Sequence, residues 1–332
     1  MTPVAVLGSG AFGTALAVLF ARAGSRVRLW GRDADEATAI AERRENARYL
    51  PGVPLPDAVT VTADLDLTLA EDGVLVVCAV PCQALRETFT AIAGRADHVV
   101  WASKGLELVS GRLIHEVARE VLGPSVTLAA VSGPNFAAEI ARGLPAATSV
   151  AATDSALAAR VMRALHTDVF RPYLSEDLVG VEVGGAVKNV IAIAAGVIDG
   201  LGFGASARAS LITRGLVEMA RFGAALGADP TTFMGLAGIG DLVLTASDDQ
   251  SRNRRFGLAL GRGAGAAEAM ASVGDTVEGA STAEAVVVRA KALGVEMPIT
   301  AEVCRIVRGE ATPADAVREL LARELAVENP LS

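Results

Sequence analysis

The chain has 332 residues, 52% of them hydrophobic, and a formal net charge of −8. That length holds two domains with full cores, and the acidic balance argues against a nucleic-acid surface or a polybasic membrane contact. Cys78, Cys82 and Cys304 are too few for a disulfide framework; they read as small buried hydrophobes in a reducing compartment, and no His or Cys partners complete a zinc pattern. Met1-Thr2-Pro3 runs straight into a strand with no basic leader, and the apolar run 15–21 is too short for a bilayer. A cytoplasmic chain without a stable membrane anchor is the expectation.

Val4-Ala5-Val6-Leu7 is a continuous apolar run ending at glycine, the pattern of a buried parallel strand. Gly8-Ser9-Gly10-Ala11-Phe12-Gly13 follows, then a helical run over 14–23 and a second strand, Arg26-Val27-Arg28-Leu29-Trp30. A G-x-G-x-x-G motif alone is weak; set between strand and helix in a thirty-residue unit it is a dinucleotide-binding fingerprint. Gly8 allows the tight turn, Gly10 lets the backbone approach a diphosphate, and Gly13 lets helix and strand pack closely. The helix N-terminus supplies N–H donors to the anion. After the second strand come Gly31, Arg32 and Asp33. Arg32 in place of a carboxylate favours NADP(H); Asp33, about twenty residues past the glycines, keeps NAD(H) open.

Further apolar runs predict strands over 59–61, 74–80, 98–102, 126–131 and 147–152, with helices over 83–93 and 112–122. The expected architecture is a doubly wound parallel sheet, with room for an antiparallel extension. Ligands gather at the carboxyl ends of such strands, which singles out Ala79-Val80-Pro81, Ser103-Lys104-Gly105 and Ser132-Gly133-Pro134-Asn135-Phe136. Lys104 reads equally as a substrate contact or an ordinary loop lysine. His115 and His166 lack a carboxylate at a suggestive spacing and read as structural or exposed.

The second half reads as helix. Residues 186–201 form a run apolar on all its faces in which Lys188 is the only cation, with Ala192, Ala195 and Asp199 on the lysine's face. Lys188 is therefore either a lysine snorkelling from the first turn or an acid–base group. A long helix is expected over 210–227 with Ser210 as N-cap, and another begins at Asp229-Pro230. The glycines of 235–240 bring Asp241 to a turn. Residues 251–255, Ser-Arg-Asn-Arg-Arg, form the densest basic cluster of an acidic chain, with Asp248 and Asp249 placed to cap a helix there. Such a cluster suits one phosphate, although a solvated helix face fits it too. Helices over 282–294 and 313–323 complete the chain, the last opened by Thr312-Pro313. A nicotinamide site that reduces a ketone needs a proton for the developing alkoxide, which an ammonium supplies. Lys188 with Asp241 and Lys104 makes such a set, and a phosphorylated hydroxy-ketone fits the basic cluster better than a plain hydroxy acid.

These motifs, together with Ala102-Ser103-Lys104-Gly105, Gly184-Gly185-Ala186-Val187-Lys188-Asn189 and Gly240-Asp241-Leu242, stand in the order that resembles bacterial NAD(P)-dependent glycerol-3-phosphate dehydrogenase, from about residue 4 to 323. The resemblance implies an α/β fold: an N-terminal Rossmann-type doubly wound sheet over 1–182, followed by an all-helical substrate and catalytic domain over 183–332. It implies reversible reduction of dihydroxyacetone phosphate to sn-glycerol 3-phosphate for phospholipid synthesis, by a cytoplasmic homodimer. Lys188 resembles the family's proton donor and acceptor, with Lys104 and Asp241 beside it. Gly133, Asn135, Thr245, Ser251, Arg252 and Asn253 match substrate contacts. Gly8, Gly10, Ala11, Phe12, Gly13, Arg32, Lys104, Ala137, Arg252 and Glu278 match cofactor contacts. Two departures are Asn135, where many members have Thr, and Gly279-Ala280-Ser281-Thr282, which lacks the bulkier residues common there. Ketopantoate reductase also uses a lysine, but its substrate carries a carboxylate where this chain offers a phosphate cluster. A non-catalytic NADPH sensor would let the polar set decay; Lys104, Lys188, Asp241 and Arg252 all stand.

Overall fold

A computed structural model describes residues 2–274 and 277–323. The chain divides into two compact units, one of residues 1–103 and 114–178, the other of residues 104–113 and 179–332.

The first unit alternates strand and helix. Its elements are β1 (Pro3–Leu7), α1 (Ala11–Arg22), β2 (Arg26–Trp30), α2 (Ala34–Arg43), β3 (Val59–Thr62), α3 (Leu65–Leu69), β4 (Leu75–Cys78), α4 (Leu85–Ile92), β5 (His98–Trp101), α5 (Ile114–Leu122), β6 (Thr127–Ser132), α6 (Ala137–Arg142), β7 (Ala146–Ala152), α7 (Ser155–Leu165) and β8 (Phe170–Ser175). The strands form one sheet in the order β3-β2-β1-β4-β5-β6-β7-β8. All neighbours are parallel except β6 and β7, where Ser132 pairs with Ser149. The seven strands expected from apolar runs are present. The eighth carries Pro172 and alternates poorly, so periodicity missed it; it sits at the sheet edge beside β7, where a missing N–H is tolerated. Strands β1 and β4 are buried from Val4 to Leu7 and from Leu75 to Cys78, as a sheet covered on both faces requires. Asp33, Asp64 and Asp154 cap α2, α3 and α7, each accepting from the amide three residues on. The strand order reverses between β1 and β4, the switch point where such sheets bind ligands.

The second unit is helical: α8 (Leu178–Gly200), α9 (Gly204–Ala225), α10 (Asp241–Ser247), α11 (Arg252–Gly261), α12 (Ala266–Ser272), α13 (Glu278–Ala292), α14 (Pro298–Val307) and α15 (Pro313–Leu321). Helix α8 is long and apolar enough to cross a membrane, but it is the core of this unit, with every residue from Gly180 to Val197 buried. It packs against α11 through glycines. A methyl group on Gly196 would run into the Arg254 carbonyl, one on Gly257 into the Ile193 carbonyl, and one on Gly200 would sit 2.6 Å from the Leu258 carbonyl. The two backbones therefore approach far more closely than side chains would allow. The α9 helix begins at Gly204, six residues before the expected Ser210 cap, because the alanine-rich stretch 205–209 favours helix. Within this core, Glu218 of α9 accepts hydrogen bonds from Ile299 N at 2.5 Å, Thr300 N at 3.2 Å and Thr300 Oγ1 at 3.1 Å, satisfying the start of α14. Burial pushes its carboxyl up to about 7 against the pull of those donors. Cys78, in the sheet, behaves as the hydrophobe expected: its burial drives the thiol up to about 12.

The α8–α11 contact gives a direct test. Gly196→Ala should cost about 2–3 kcal/mol, the usual penalty for forcing a methyl into a filled space. Urea unfolding measures it, and Gly202→Ala, which meets no neighbour but sits at φ +80°, should cost about 1 kcal/mol.

Candidate active site

In the first unit the three motif glycines answer three different needs. Gly8 leaves β1 at φ +117°, and a Cβ there would lie 2.8 Å from the Ala79 carbonyl at the end of β4. Gly13 lies so close to the Gly8 carbonyl that no side chain fits. Gly10 meets nothing within 4 Å on its Cβ side. It is the N-cap of α1 and gives no side-chain cap, and no acidic residue occupies the first turn. The first amides of α1, at Ala11, Phe12 and Gly13, thus face an open, uncapped helix end, the arrangement that receives a diphosphate. The residues present fit a dinucleotide.

Beyond β2, Gly31 leaves room for Ser9, whose Oγ would lie 2.7 Å from a Cβ at that position. Arg32 is exposed. The Asp33 carboxylate is engaged as the cap of α2, accepting from Glu36 N at 2.9 Å. At the end of β6, Gly133 passes within 3.0 Å of Thr148 Cα, measured from an ideal Cβ. Asn135 Oδ1 in the same loop is buried without a hydrogen-bond partner among the described residues. Ala137 opens α6, whose N-cap Phe136 makes no side-chain bond.

The second unit brings together four residues the sequence singled out. Lys188 Nζ donates to Asp241 Oδ1 at 2.7 Å and to Thr245 Oγ1 at 2.8 Å. Lys104 Nζ donates to the other carboxylate oxygen, Asp241 Oδ2, at 2.5 Å. Thr245 Oγ1 donates to the Asp241 carbonyl at 2.6 Å, one helical turn back. Lys188 is 7% exposed and Asp241 1%, so the snorkelling alternative fails: the ammonium points into the unit, not to water. Asp241 does not sit in a turn, as expected, but is the first residue of α10, where a carboxylate complements the helix dipole. The preceding stretch Leu236–Gly240 is a widened helical turn broken at Gly238 (φ −98°, ψ −107°). A side chain at Gly238 would strike Phe233, and one at Gly184 would strike the Ala237 carbonyl. Gly184 is therefore what lets α8 lie against this turn and puts Lys188 in reach of Asp241.

Two ammonium groups against one carboxylate leave the cluster net positive in a buried setting. Burial pulls the Lys188 ammonium down to about 8; Asp241 opposes the fall and Lys104 adds to it. For Asp241, burial raises the carboxyl, but Lys104 and Lys188 together outweigh it and hold the group below its usual range.

The basic cluster divides. Ser251, not Asp248 or Asp249, caps α11, its Oγ accepting from Arg254 N at 3.2 Å. Arg254 is buried and spent on structure: it donates to Asp199 at 2.6 Å and pairs with Asp249. Asp199 also holds Arg208 at 2.7 Å, so the acid on the lysine's face of α8 serves this clamp and not Lys188. Arg252 and Arg255 are exposed. Asn253 Nδ2 donates to Asn189 Oδ1 at 3.0 Å, and its Oδ1 accepts from Gly279 N at 2.9 Å. It thereby ties α11 to the residue after Lys188 and to the start of α13, where Glu278 is the first residue. Asn189, 3% exposed, was given no role by the sequence; its position next to Lys188 was the available signal.

A switch-point glycine loop and a buried lysine–carboxylate centre define the class of nicotinamide-dependent oxidoreductases. Models of the NAD-dependent glycerol-3-phosphate dehydrogenase N-terminus and C-terminus match residues 3–158 and 177–318. A protein of Halorhodospira halophila named glycerol-3-phosphate dehydrogenase [NAD(P)+] is 56% identical over 321 residues, covering 96% of each chain. One of the same name from Thioalkalivibrio sulfidiphilus is 53% identical, covering 97% of each. The solved glycerol-3-phosphate dehydrogenase of Coxiella burnetii superposes with a TM-score of 0.93 at 43% identity, over 97% of this chain and 99% of that one. The chain belongs to the NAD-dependent glycerol-3-phosphate dehydrogenase family and is an oxidoreductase.

The cluster sets a pH dependence. The folded Lys188 ionises near 8, against 10.5 for an ordinary lysine, so the folded chain holds fewer protons between those values. Its contribution to stability is least below pH 8 and rises as pH climbs toward 10.5. Asp241→Asn removes the carboxylate that pairs with Lys188, lowers the Lys188 pKa further and should cost about 3 kcal/mol at pH 7, as expected for an unpaired buried charge. Urea unfolding from pH 7 to 10.5 reads both effects; identical curves for the two proteins would show that the carboxylate does not hold the ammonium charged.

Proposed function

We propose that the chain reduces dihydroxyacetone phosphate to sn-glycerol 3-phosphate, reversibly and with NADPH preferred, supplying a phospholipid precursor as a cytoplasmic homodimer. The observation that carries the reading is the buried Lys104–Asp241–Lys188–Thr245 cluster. When bound, the nicotinamide supplies the hydride to the carbonyl carbon. Lys188 gives its proton to the carbonyl oxygen, a transfer suited to an ammonium ionising near 8. Asp241 and Thr245 orient that ammonium, and Lys104 adds positive charge where the alkoxide develops. The substrate phosphate is held by Arg252 at the start of α11, with the Asn253 amide and the helix end beside it. In the loop after β6, the buried Asn135 oxygen is suited to accept from a hydroxyl. The cofactor diphosphate lies on the Gly8–Gly13 loop, with Ala137 of the same unit as a further contact. Asp33 is engaged as a helix cap while Arg32 is exposed, which supports a 2′-phosphate partner over a 2′-hydroxyl one.

Nicotinamide absorbance with dihydroxyacetone phosphate, NADPH and NADH in parallel tests the reaction; no decay with either cofactor would sink it. Lys188→Ala should lower kcat by about 100-fold or more, the usual contribution of a positioned proton donor, with little change in NADPH affinity. For the wild type, reduction should fall and oxidation should rise as pH passes through about 8.

Arg252→Ala should raise KM for the phosphorylated ketone by about tenfold or more, the loss of one charge-assisted contact, with a smaller effect on kcat. An unchanged KM would take the phosphate role from Arg252.

A further inference from the structure

We infer that Asn46 is a positioning residue that sets the glycine loop for the dinucleotide. It lies after α2, far from the loop in sequence, and is fully buried. Its Nδ2 donates to the Ser9 carbonyl at 2.7 Å and to Thr14 Oγ1 at 2.8 Å. Its Oδ1 accepts from Tyr49 N at 3.2 Å, which fixes which way the amide faces. Thr14, also fully buried, closes the triangle by donating to the Ser9 carbonyl at 3.4 Å.

The consequence follows from peptide geometry. A trans peptide points its C=O and the next N–H in opposite directions, and no cis bond occurs among the described residues. Drawing the Ser9 carbonyl onto Asn46 therefore turns the Gly10 N–H away from Asn46. Ser9 is held from its other side by Gly31, whose missing side chain leaves room for the serine. Without Asn46, the Ser9 carbonyl keeps only the longer bond from Thr14 at 3.4 Å among those described, and the peptide flips more readily because the glycine following it tolerates either orientation. Asparagine suits the place because one short side chain offers two donors and an acceptor. Aspartate of equal size offers no donor, and would set a carboxylate against the Ser9 carbonyl.

The inference rests on reading the loop as the diphosphate cradle, and NADPH fluorescence titration of the wild type tests that reading alone: no binding would remove the reading and the inference with it. Given binding, Asn46→Asp, Asn46→Ala and the control Arg44→Ala are compared by the same titration and by thermal unfolding of the ligand-free proteins. Arg44 donates to the carbonyls of Val59, Leu55 and Pro56 and does not touch the glycine loop. Both Asn46 variants should raise the Kd for NADPH about tenfold or more, since a buried carbonyl loses its donor. Their KM for dihydroxyacetone phosphate at saturating NADPH should stay within about twofold. Arg44→Ala should unfold at lower temperature yet bind NADPH as the wild type does. An unchanged Kd in the Asn46 variants, or an equal loss in Arg44→Ala, would overturn the inference. Should Asn46→Ala not fold, Asn46→Asp, which keeps the volume and the acceptor for Tyr49, carries the test; if neither folds, Asn46 is a folding residue and the inference falls.

Discussion

The buried carboxylate of Asp241 is the constraint on which the helical unit depends. Two ammonium groups converge on its two oxygens, and none of the three charges would be tolerated at that depth alone. With the carboxylate beside it, Lys188 is left close enough to neutrality to exchange its proton near physiological pH. A site of this kind needs a rigid surround, because small movements of any member leave a charge unpaired. The rigidity comes from the placement of Lys188, Asp241 and Thr245 on helices α8 and α10, with Lys104 held in the loop after β5 by its bond to Asp241.

Glycine makes that placement possible. The chain has 34 glycines and only 4% aromatic residues, so its helices pack by backbone approach more than by bulky interdigitation. Gly184 brings α8 against the turn before Asp241, and Gly196 and Gly257 bring α8 against α11. In the sheet unit the same residue type does conformational work at Gly8 and spatial work at Gly13. Buried polar groups then fasten what the glycines bring close. Asn253 joins α11 to α8 and α13, Arg254 joins it to the end of α8 through Asp199, and Glu218 joins α9 to α14.

Much of this was legible in the chain itself because it is local. Strand-like runs predicted seven strands, and the spacing of Gly8, Gly10 and Gly13 predicted the helix end they open. Thr312-Pro313 marked the start of α15 correctly, whereas Asp229-Pro230 opens only a short 3-10 turn over Pro230–Met234. The misreadings share one cause. Asp248 and Asp249 were the expected caps of α11, and the folded chain uses Ser251 instead. Arg254 reads like Arg252 and Arg255 in a string of letters; burial against Asp199 separates them. The edge strand β8 is held by its neighbour and not by its own pattern.

The sequence by itself determined the alternation of strand and helix, the glycine loop and the identity of the ionisable groups, since each follows from contacts within a few residues. Whether Lys188 reached water or turned inward could not be read from α8, whose remaining residues are compatible with both. The tertiary structure decided it by placing Asp241 and Thr245, 53 and 57 residues away in the chain, against the ammonium. It likewise decided that Asn46 belongs to the glycine loop, 37 residues from Ser9. Both depend on where distant backbone comes to lie, and charge and hydrogen bonding act on distances in space, not on spacing in the chain.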